Sequence, residues 1–229
     1  MKDYAVLERN LGYSFQDKKL LAHALTHSSY ASEHDLAYSE NNERLEFIGD
    51  AYLDAIIGNK LYEVMPNQPE GVLSKTRANI VCERSLATIA RNIGLGDFLF
   101  LGNGEEMYGG REKDSLLADA VEAIIGAIIR ESGYDCADRV VLKLFEENIL
   151  LALQGKLYHD YKTALQEKLQ ERYKNVRIQY EPVSESGPDH RKVFTVQVKA
   201  DDAVLATGSG HSKKAAEQEA ARKVLMKGV

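Results

Sequence analysis

The sequence predicts a two-domain chain in which an all-α domain is followed by a small α+β domain with the element order α-β-β-β-α. Apolar residues recur at helical spacing through the first 150 residues, whereas alternating apolar residues follow residue 175. The charge balance changes between the two parts: residues 1–154 hold 15 Lys and Arg against 25 Asp and Glu, and residues 155–229 hold 14 against 10. We therefore expect domains over 1–154 and 159–229, joined by a linker over 155–158.

The first domain is predicted to consist of helices separated by Pro and Gly residues. Apolar residues at helical spacing occupy the segments near 17–27, 43–65, 72–93, 114–132 and 135–151. Pro66 and Pro69 separate the second segment from the third, and a glycine-rich stretch over 102–110 precedes the fourth. The first domain is therefore expected to be helical throughout.

The second domain is predicted from a change of period after its first helix. Residues 160–173 form an amphipathic helix, with Leu165, Leu169 and Tyr173 on its buried side. Alternating apolar residues then indicate three short strands near 176–183, 193–198 and 203–206. Ser212 stands where the N-cap of a final helix is expected. This order gives the helix, three antiparallel strands and helix of the predicted fold.

The composition excludes a membrane-spanning or disulfide-stabilised protein. No apolar run approaches the ~20 residues that a transmembrane helix needs, and the first residues lack the basic-then-apolar order of a secretory signal. Cys82 and Cys136 are the two cysteines, and their spacing does not suit a metal site. We expect two thiols in a reducing compartment, which predicts a cytoplasmic protein without a membrane partner.

Acidic residues form a stripe on the predicted helix that begins near residue 43. At about 100° per residue, four carboxylates fall within a stripe about 80° wide: Glu43, Glu46, Asp50 and Asp54. A solvated helix face is the usual explanation for such a stripe, but solvated faces mix charges, and no Lys or Arg lies on this one. Asp119 and Glu122 repeat the pattern on the narrow polar edge of another apolar helix.

Two such helices packed face to face would gather four carboxylates in a partly buried pocket. A divalent cation that prefers oxygen ligands would relieve their repulsion, and Mg²⁺ is the natural candidate. Such a site suits phosphodiester hydrolysis. A di-iron site remains open from spacing alone, although it usually requires Glu-x-x-His pairs. His23 and His27 lie far from both acidic segments in sequence and are interpreted as structural.

The second domain carries basic and polar residues suited to a polyanion. Lys213 and Lys214 stand at the start of the last predicted helix, where lysine side chains and free N–H groups together can bind phosphate. His190 lies on a hairpin tip that can enter a shallow groove, and Thr163 and Gln166 share a polar face of the first helix. The pattern favours contact with phosphates and 2′-hydroxyl groups, and ordinary solvated surface is the alternative for each residue taken alone.

Several motifs resemble the bacterial ribonuclease III family. Residues Asn42–Asp50 read NERLEFIGD, which is similar to that family's signature, and Leu117–Gly126 read LADAVEAIIG, which is similar to its second metal-site helix. Residues 159–227 resemble its double-stranded-RNA-binding domain, including a GPDH loop and a closing SKKAAEQEAA helix. The likeness covers nearly the whole chain in the family's domain order.

The resemblance implies an Mg²⁺-dependent endonuclease, with Mn²⁺ as a substitute ion, that acts as a homodimer on double-stranded RNA. Each subunit would cut one strand and leave staggered ends with 5′-phosphate and 3′-hydroxyl groups, in the processing of ribosomal and messenger RNA. The implied site residues are the catalytic and metal-binding Glu46, Asp50, Asp119 and Glu122, the supporting Glu43 and Glu70, and the RNA contacts Thr163, Gln166, His190, Lys213 and Lys214. Phe47 matches a dimer contact, and an ordinary core position is the alternative for that residue.

Two other functions remain open from the sequence. The protein could bind double-stranded RNA without cutting it, although such a binder gains nothing from carboxylates gathered opposite phosphates. It could also be a metal-loaded helical protein that binds no RNA, which would leave the basic second domain without a purpose. Measuring both the binding and the cleavage of an RNA duplex, with and without Mg²⁺, distinguishes the three.

Overall fold

The structure is a computed structural model that describes residues 3–155, 157, 161–187 and 192–227. Its internal contacts divide the chain into two compact units, residues 1–157 and 158–229. The first unit is helical and the second combines helices with one antiparallel sheet, so the predicted fold classes are confirmed.

The first unit contains ten α-helices within the described residues. They are α1 (Ala5–Leu11), α2 (Lys18–Ala24), α3 (Ser28–Glu33), α4 (Glu43–Val64), α5 (Glu70–Ile80), α6 (Glu83–Asn92), α7 (Asn103–Met107), α8 (Asp114–Ser132), α9 (Tyr134–Leu144) and α10 (Glu146–Leu153). Short 3₁₀ turns lie at Tyr38–Glu40, Leu95–Phe98 and Gly110–Glu112.

Two segments predicted as single helices are each two helices. Residues 72–93 are interrupted at Cys82, whose extended backbone (φ −69°, ψ 153°) caps the start of α6. Residues 135–151 are interrupted at Phe145, which is fully buried at the junction of α9 and α10. Neither junction contains Gly or Pro, so apolar periodicity continues across the break and gives no sign of it. The short helices α1, α3 and α7 were not predicted.

Helix α8 forms the centre of the first unit and packs against α2, α4, α6 and α9. Eleven of its residues are buried, which is why its apolar surface extends almost around the helix. Its contact with α4 is the most extensive in the unit. Between Leu117 and Ile129, Asp119 and Glu122 are the two residues that are not buried, and they form one narrow, partly accessible edge.

Helices α4 and α8 touch backbone to backbone at two glycines. A Cβ atom on Gly49 would lie 1.8 Å from the carbonyl oxygen of Glu122, and one on Gly126 would lie 2.1 Å from the carbonyl oxygen of Leu45. Any side chain at either glycine would therefore force the helices apart. The two contacts bring the acidic stripes of the helices beside each other.

The second unit has the predicted α-β-β-β-α order. Its elements are α11 (Tyr161–Arg172), β1 (Ile178–Ser186), β2 (Val193–Ala200), β3 (Ala203–Gly210) and α12 (Lys213–Met226), and the strands form an antiparallel sheet in the order β1-β2-β3. Leu165 and Leu169 of α11 pack with Val198 of the sheet and Ala220 of α12. The predicted burial of Tyr173 is wrong: it follows the end of α11 and is 50% exposed.

A β-bulge at Val183 changes the direction of the side chains along β1. Pro182 pairs with Val196 and Ser184 with the adjacent Thr195, so Val183 is an extra residue in β1. Residues opposite each other in an antiparallel pair share a face of the sheet. Beyond the bulge, the odd-numbered residues of β1 therefore lie on the same face of the sheet as the buried Val196 and Val198. The helices cover this face.

The glycine contact between α4 and α8 predicts that an added side chain lowers the stability of the protein at some positions of α4 and not at others. We expect Gly49→Ala to lower the free energy of unfolding by about 3 kcal/mol or more, because the new methyl group overlaps a backbone carbonyl. Gly58→Ala in the same helix is the matched control, because its Cβ would meet atoms of Arg77 at 3.7 Å or beyond. The control should gain about 0.5–1 kcal/mol, as expected for a helix-interior glycine. Equal effects of the two substitutions in chemical denaturation would contradict this interpretation.

Candidate metal centre and nucleic-acid interface

Three carboxylates from two helices converge beside the glycine contact. Glu46 of α4 and Asp119 and Glu122 of α8 each offer an oxygen atom, and these three atoms lie within 4.8 Å of one another. Each side chain is partly buried. In the part of the chain that the structure describes, this is the one group of three or more acidic, His or Cys side chains arranged to hold a metal ion.

The cluster is electrostatically strained without a cation. Burial, followed by repulsion from neighbouring carboxylates, raises the pKa of Glu46 to about 7 and the pKa of Glu122 to about 8. Burial also raises the pKa of Asp119. Near neutral pH, part of the cluster therefore retains protons that a divalent cation would displace. The oxygen-only donor set fits a hard ion such as Mg²⁺ or Mn²⁺.

Asp50 lies close to the cluster but outside the group of three. It is exposed one turn after Glu46 on α4, and its charge raises the pKa of both Glu46 and Glu122. Three of the four predicted metal-binding residues thus form the group, and Asp50 stands at its edge. Asp54, on the same stripe, forms an ion pair with Arg77 of α5 at 3.6 Å.

The two predicted supporting carboxylates have local hydrogen-bond partners. Glu43 accepts a hydrogen bond from the Tyr38 hydroxyl at 2.6 Å, and its charge contributes to the raised pKa of Glu46. Glu70 is exposed at the start of α5 and accepts a hydrogen bond from the Ser74 hydroxyl at 2.6 Å. Neither residue belongs to the group of three.

His27 lies near the cluster, although the sequence analysis interpreted it as a purely structural residue. Its Nδ1 accepts a hydrogen bond from the backbone N–H of Ser29 and caps α3. Its charge also lowers the pKa of Asp119, opposing the effect of burial. His23, by contrast, contacts the carbonyl oxygen of Asn41 at 2.7 Å, two residues before α4 begins. Sequence spacing gives no signal for the proximity of His27 to Asp119, which depends on the tertiary fold.

Phe47 lies on the outside of α4 and is 81% exposed, so the alternative of an ordinary core position is wrong. Ala51, Ala55 and Tyr62 are also exposed on this helix. Their spacing places them on the same side of α4 as Phe47. The helix that contributes Glu46 to the cluster therefore presents an apolar surface to solvent.

The second unit gathers polar and basic side chains in a groove of about 700 Å³. The groove is lined by Lys162, Thr163, Gln166, Ile178, Tyr180, Lys214, Glu217 and Gln218. Three of the predicted RNA contacts, Thr163, Gln166 and Lys214, thus share one surface. Lys213 begins α12 beside them, after Ser212, whose hydroxyl accepts a hydrogen bond from the backbone N–H of Ala215. His190 lies outside the described residues.

Comparison with known proteins matches both units. Residues 17–149 fit a family model described as Ribonuclease-III-like, and residues 161–227 fit one described as the double-stranded RNA binding motif. Ribonuclease 3 of Caldanaerobacter subterraneus subsp. tengcongensis is 51% identical over 221 residues, which cover 96% of either chain. The chain belongs to the ribonuclease III family. Ribonuclease 3 of Pelotomaculum thermopropionicum is 46% identical, over 97% of this chain and 92% of that one.

A solved structure supports the assignment of the first unit as a ribonuclease III nuclease domain. The nuclease domain of ribonuclease III from Campylobacter jejuni is 49% identical, with a TM-score of 0.60, over 64% of this chain and 98% of that one. That structure is described as showing flexibility in a region involved in dimer formation. Among the residues that our structure describes, no helix has the length and apolarity needed to cross a membrane.

The raised carboxylate pKa values predict that this protein loses stability with rising pH when no metal is present. The unfolded chain releases these protons near pH 4.5, whereas folded Glu46 and Glu122 retain them to about pH 7 and 8. The stabilising contribution is therefore complete below about pH 4.5, declines as pH rises above that value, and is lost once pH has passed the folded pKa values of about 7 and 8.

Thermal unfolding in EDTA, between about pH 6 and pH 8.5, measures this effect. We expect a falling unfolding temperature for the wild-type protein, a weaker slope for Glu122→Gln, and recovery on addition of Mg²⁺ at the higher pH. A wild-type slope unchanged by both the substitution and the metal would assign the pH dependence to other groups.

Proposed function

We propose that this chain is an Mg²⁺-dependent endoribonuclease that hydrolyses phosphodiester bonds in double-stranded RNA. The observation that supports this most directly is the group of three carboxylate oxygens within 4.8 Å, in a chain that also contains a double-stranded RNA binding motif. Mn²⁺ would serve as a substitute ion because it prefers the same oxygen ligands.

Glu46, Asp119 and Glu122 would hold the ion, and Asp50 would complete the site at its exposed edge. Bound Mg²⁺ would polarise a phosphoryl oxygen and lower the pKa of a water molecule. The protein fixes the positions of the carboxylates through the glycine contact of α4 and α8, so that little rearrangement is needed when the substrate binds. Glu43 would support Glu46, its neighbour on the same stripe, and Glu70 would act from the start of α5.

The proposed reaction is attack by water in line with the departing 3′ oxygen. Breaking the bond between phosphorus and that oxygen leaves a 5′-phosphate on one fragment and a 3′-hydroxyl on the other. Carboxylates whose protons a bound cation has displaced to solvent could accept the proton of the attacking water, and the departing 3′ oxygen would take up a proton to become the 3′-hydroxyl. The processing of ribosomal and messenger RNA precursors and a cytoplasmic location remain predictions.

The second domain would select double-stranded RNA by shape. Thr163 and Gln166 lie in the same groove as Lys214, which allows hydroxyl and amide groups to contact 2′-hydroxyls while the lysine binds phosphate. Lys213 would bind phosphate at the start of α12. His190 is proposed as a further contact from the hairpin between β1 and β2. Base sequence would play little part in this recognition.

We also propose that two copies pair through the exposed surface of α4. Phe47 is 81% exposed beside Glu46, and the small residues Ala51 and Ala55 follow it on the same side of the helix. An exposed aromatic residue next to small side chains favours close contact with a partner. Two paired copies would present two sites to one duplex and so produce staggered ends.

Cleavage of a long labelled RNA duplex tests the catalytic proposal. With Mg²⁺, the wild-type chain should cut, and Glu122→Gln should lose at least about 100-fold in rate while still binding the duplex. Glu147→Gln, at an exposed position of α10, is the control with the same change of charge and should cut normally. A wild-type protein that binds the duplex but does not cut it with Mg²⁺ or Mn²⁺ would be a non-cleaving RNA binder.

Sedimentation equilibrium tests the proposed dimer. We expect the wild-type chain to dimerise and Phe47→Ala to weaken dimerisation at least about tenfold, because a central aromatic residue often dominates an interface. Met226→Ala replaces an exposed apolar residue of the second domain and should have no effect. A wild-type monomer, or equal behaviour of the two variants, would contradict the pairing through α4.

A further inference from the structure

An acidic side chain lies between two lysines at the edge of the proposed RNA-binding surface. One carboxylate oxygen of Glu185 is 3.2 Å from the ammonium of Lys192, and the other is 3.6 Å from the ammonium of Lys213. Lys192 directly precedes β2, and Lys213 begins α12. One carboxylate thus links the base of the hairpin between β1 and β2 to the start of the last helix.

The two lysines also share one aromatic ring. The ammonium groups of Lys192 and Lys213 lie 6.0 Å and 5.9 Å from the ring centroid of Phe194, at the outer limit of a cation–π contact. Phe194 is paired with Glu185 across the two strands, so both side chains lie on the same face of the sheet. The ring and the carboxylate together hold the two positive charges close to each other.

The bulge at Val183 is what places the carboxylate on this face. Glu181 is opposite Gln197, on the face of the sheet away from the helices, and pairs with Lys199 at 2.6 Å. In a regular strand, Glu185 would share that outer face, because it is four residues further along. The extra residue turns Glu185 to the side where α12 begins.

The contact is accessible to a competing anion. The side chain of Glu185 is 39% exposed and that of Lys213 is 61% exposed. Ion pairs in such positions exchange readily with solvent and ions. Both lysines lower the pKa of Glu185, which keeps the carboxylate charged at neutral pH. An RNA phosphate that binds either lysine must therefore compete with a permanent negative charge.

We propose that Lys192 joins Lys213 as a phosphate-binding pair and that Glu185 limits the affinity of this pair for duplex RNA. The inference rests on the proposed binding of double-stranded RNA by the second domain. In this proposal Lys192 contacts the RNA, and Glu185 competes with RNA phosphates for the two lysines. This competition keeps duplex binding reversible. A bound duplex displaces the carboxylate from the lysines, and the carboxylate returns to them when the duplex leaves.

The test compares two Glu→Gln substitutions on the same strand, in the full chain. Binding to a labelled RNA duplex of about 30 base pairs, longer than the ~16 that one such domain covers, is measured in EDTA so that no cleavage occurs. Glu185→Gln should bind several-fold more tightly than wild type, and the slope of log affinity against log salt should steepen by about one. Glu181→Gln removes the same charge from the outer face and should change affinity less than twofold.

A second measurement repeats the substitution of Glu185 in a protein that lacks both lysines. In a Lys192→Met, Lys213→Met background, Glu185→Gln should lose its effect on affinity, because no ammonium is left to release. Glu185→Gln that binds like Glu181→Gln, or more weakly than wild type, would overturn the inference while the proposed RNA binding stands. A wild-type chain that does not bind the duplex would overturn the proposed function and this inference with it.

Discussion

Helices α4 and α8 are held in backbone contact by Gly49 and Gly126, and the position of the carboxylate cluster depends on this contact. Each glycine lies next to residues that contribute to the cluster: Gly49 touches the carbonyl of Glu122, and Gly126 touches the carbonyl of Leu45, which precedes Glu46. Side chains on the neighbouring turns are then close enough for three oxygens to meet. The spacing is fixed by backbone atoms, so the flexible acidic side chains do not have to maintain it.

The cluster lowers the stability of the domain, and the apolar packing of α8 offsets that cost. Burial, followed by repulsion between neighbouring carboxylates, disfavours the charged carboxylates and raises the pKa values of Glu46 and Glu122. The remaining surface of α8 is buried among α2, α4, α6 and α9. A site that is unfavourable without its ion can thus persist in a stable fold, as is common for functional sites.

Sequence patterns predicted the features that depend on local periodicity. The acidic edges of α4 and α8 and the order of the second domain follow from spacing alone, and the structure has three of the four carboxylates in one group. Features that depend on tertiary contacts were missed. The helix break at Cys82 has no Gly or Pro, His27 approaches Asp119 only in the folded chain, and Arg77 reaches Asp54 from another helix. The bulge was missed as well: Val183 was counted among the alternating apolar residues of the strand, but it is the extra residue and is 53% exposed.

The bulge also bears on how related chains are compared. Deleting Val183 alone would remove the extra residue and leave Glu185 opposite Phe194 on the same face, because the residues after the bulge would keep their partners in β2. A related chain of equal length without the bulge would turn the same glutamate to the opposite face, away from the start of α12, although an alignment would score it as conserved. For this strand, the pairing of each residue with β2 carries as much information about the surface as residue identity does.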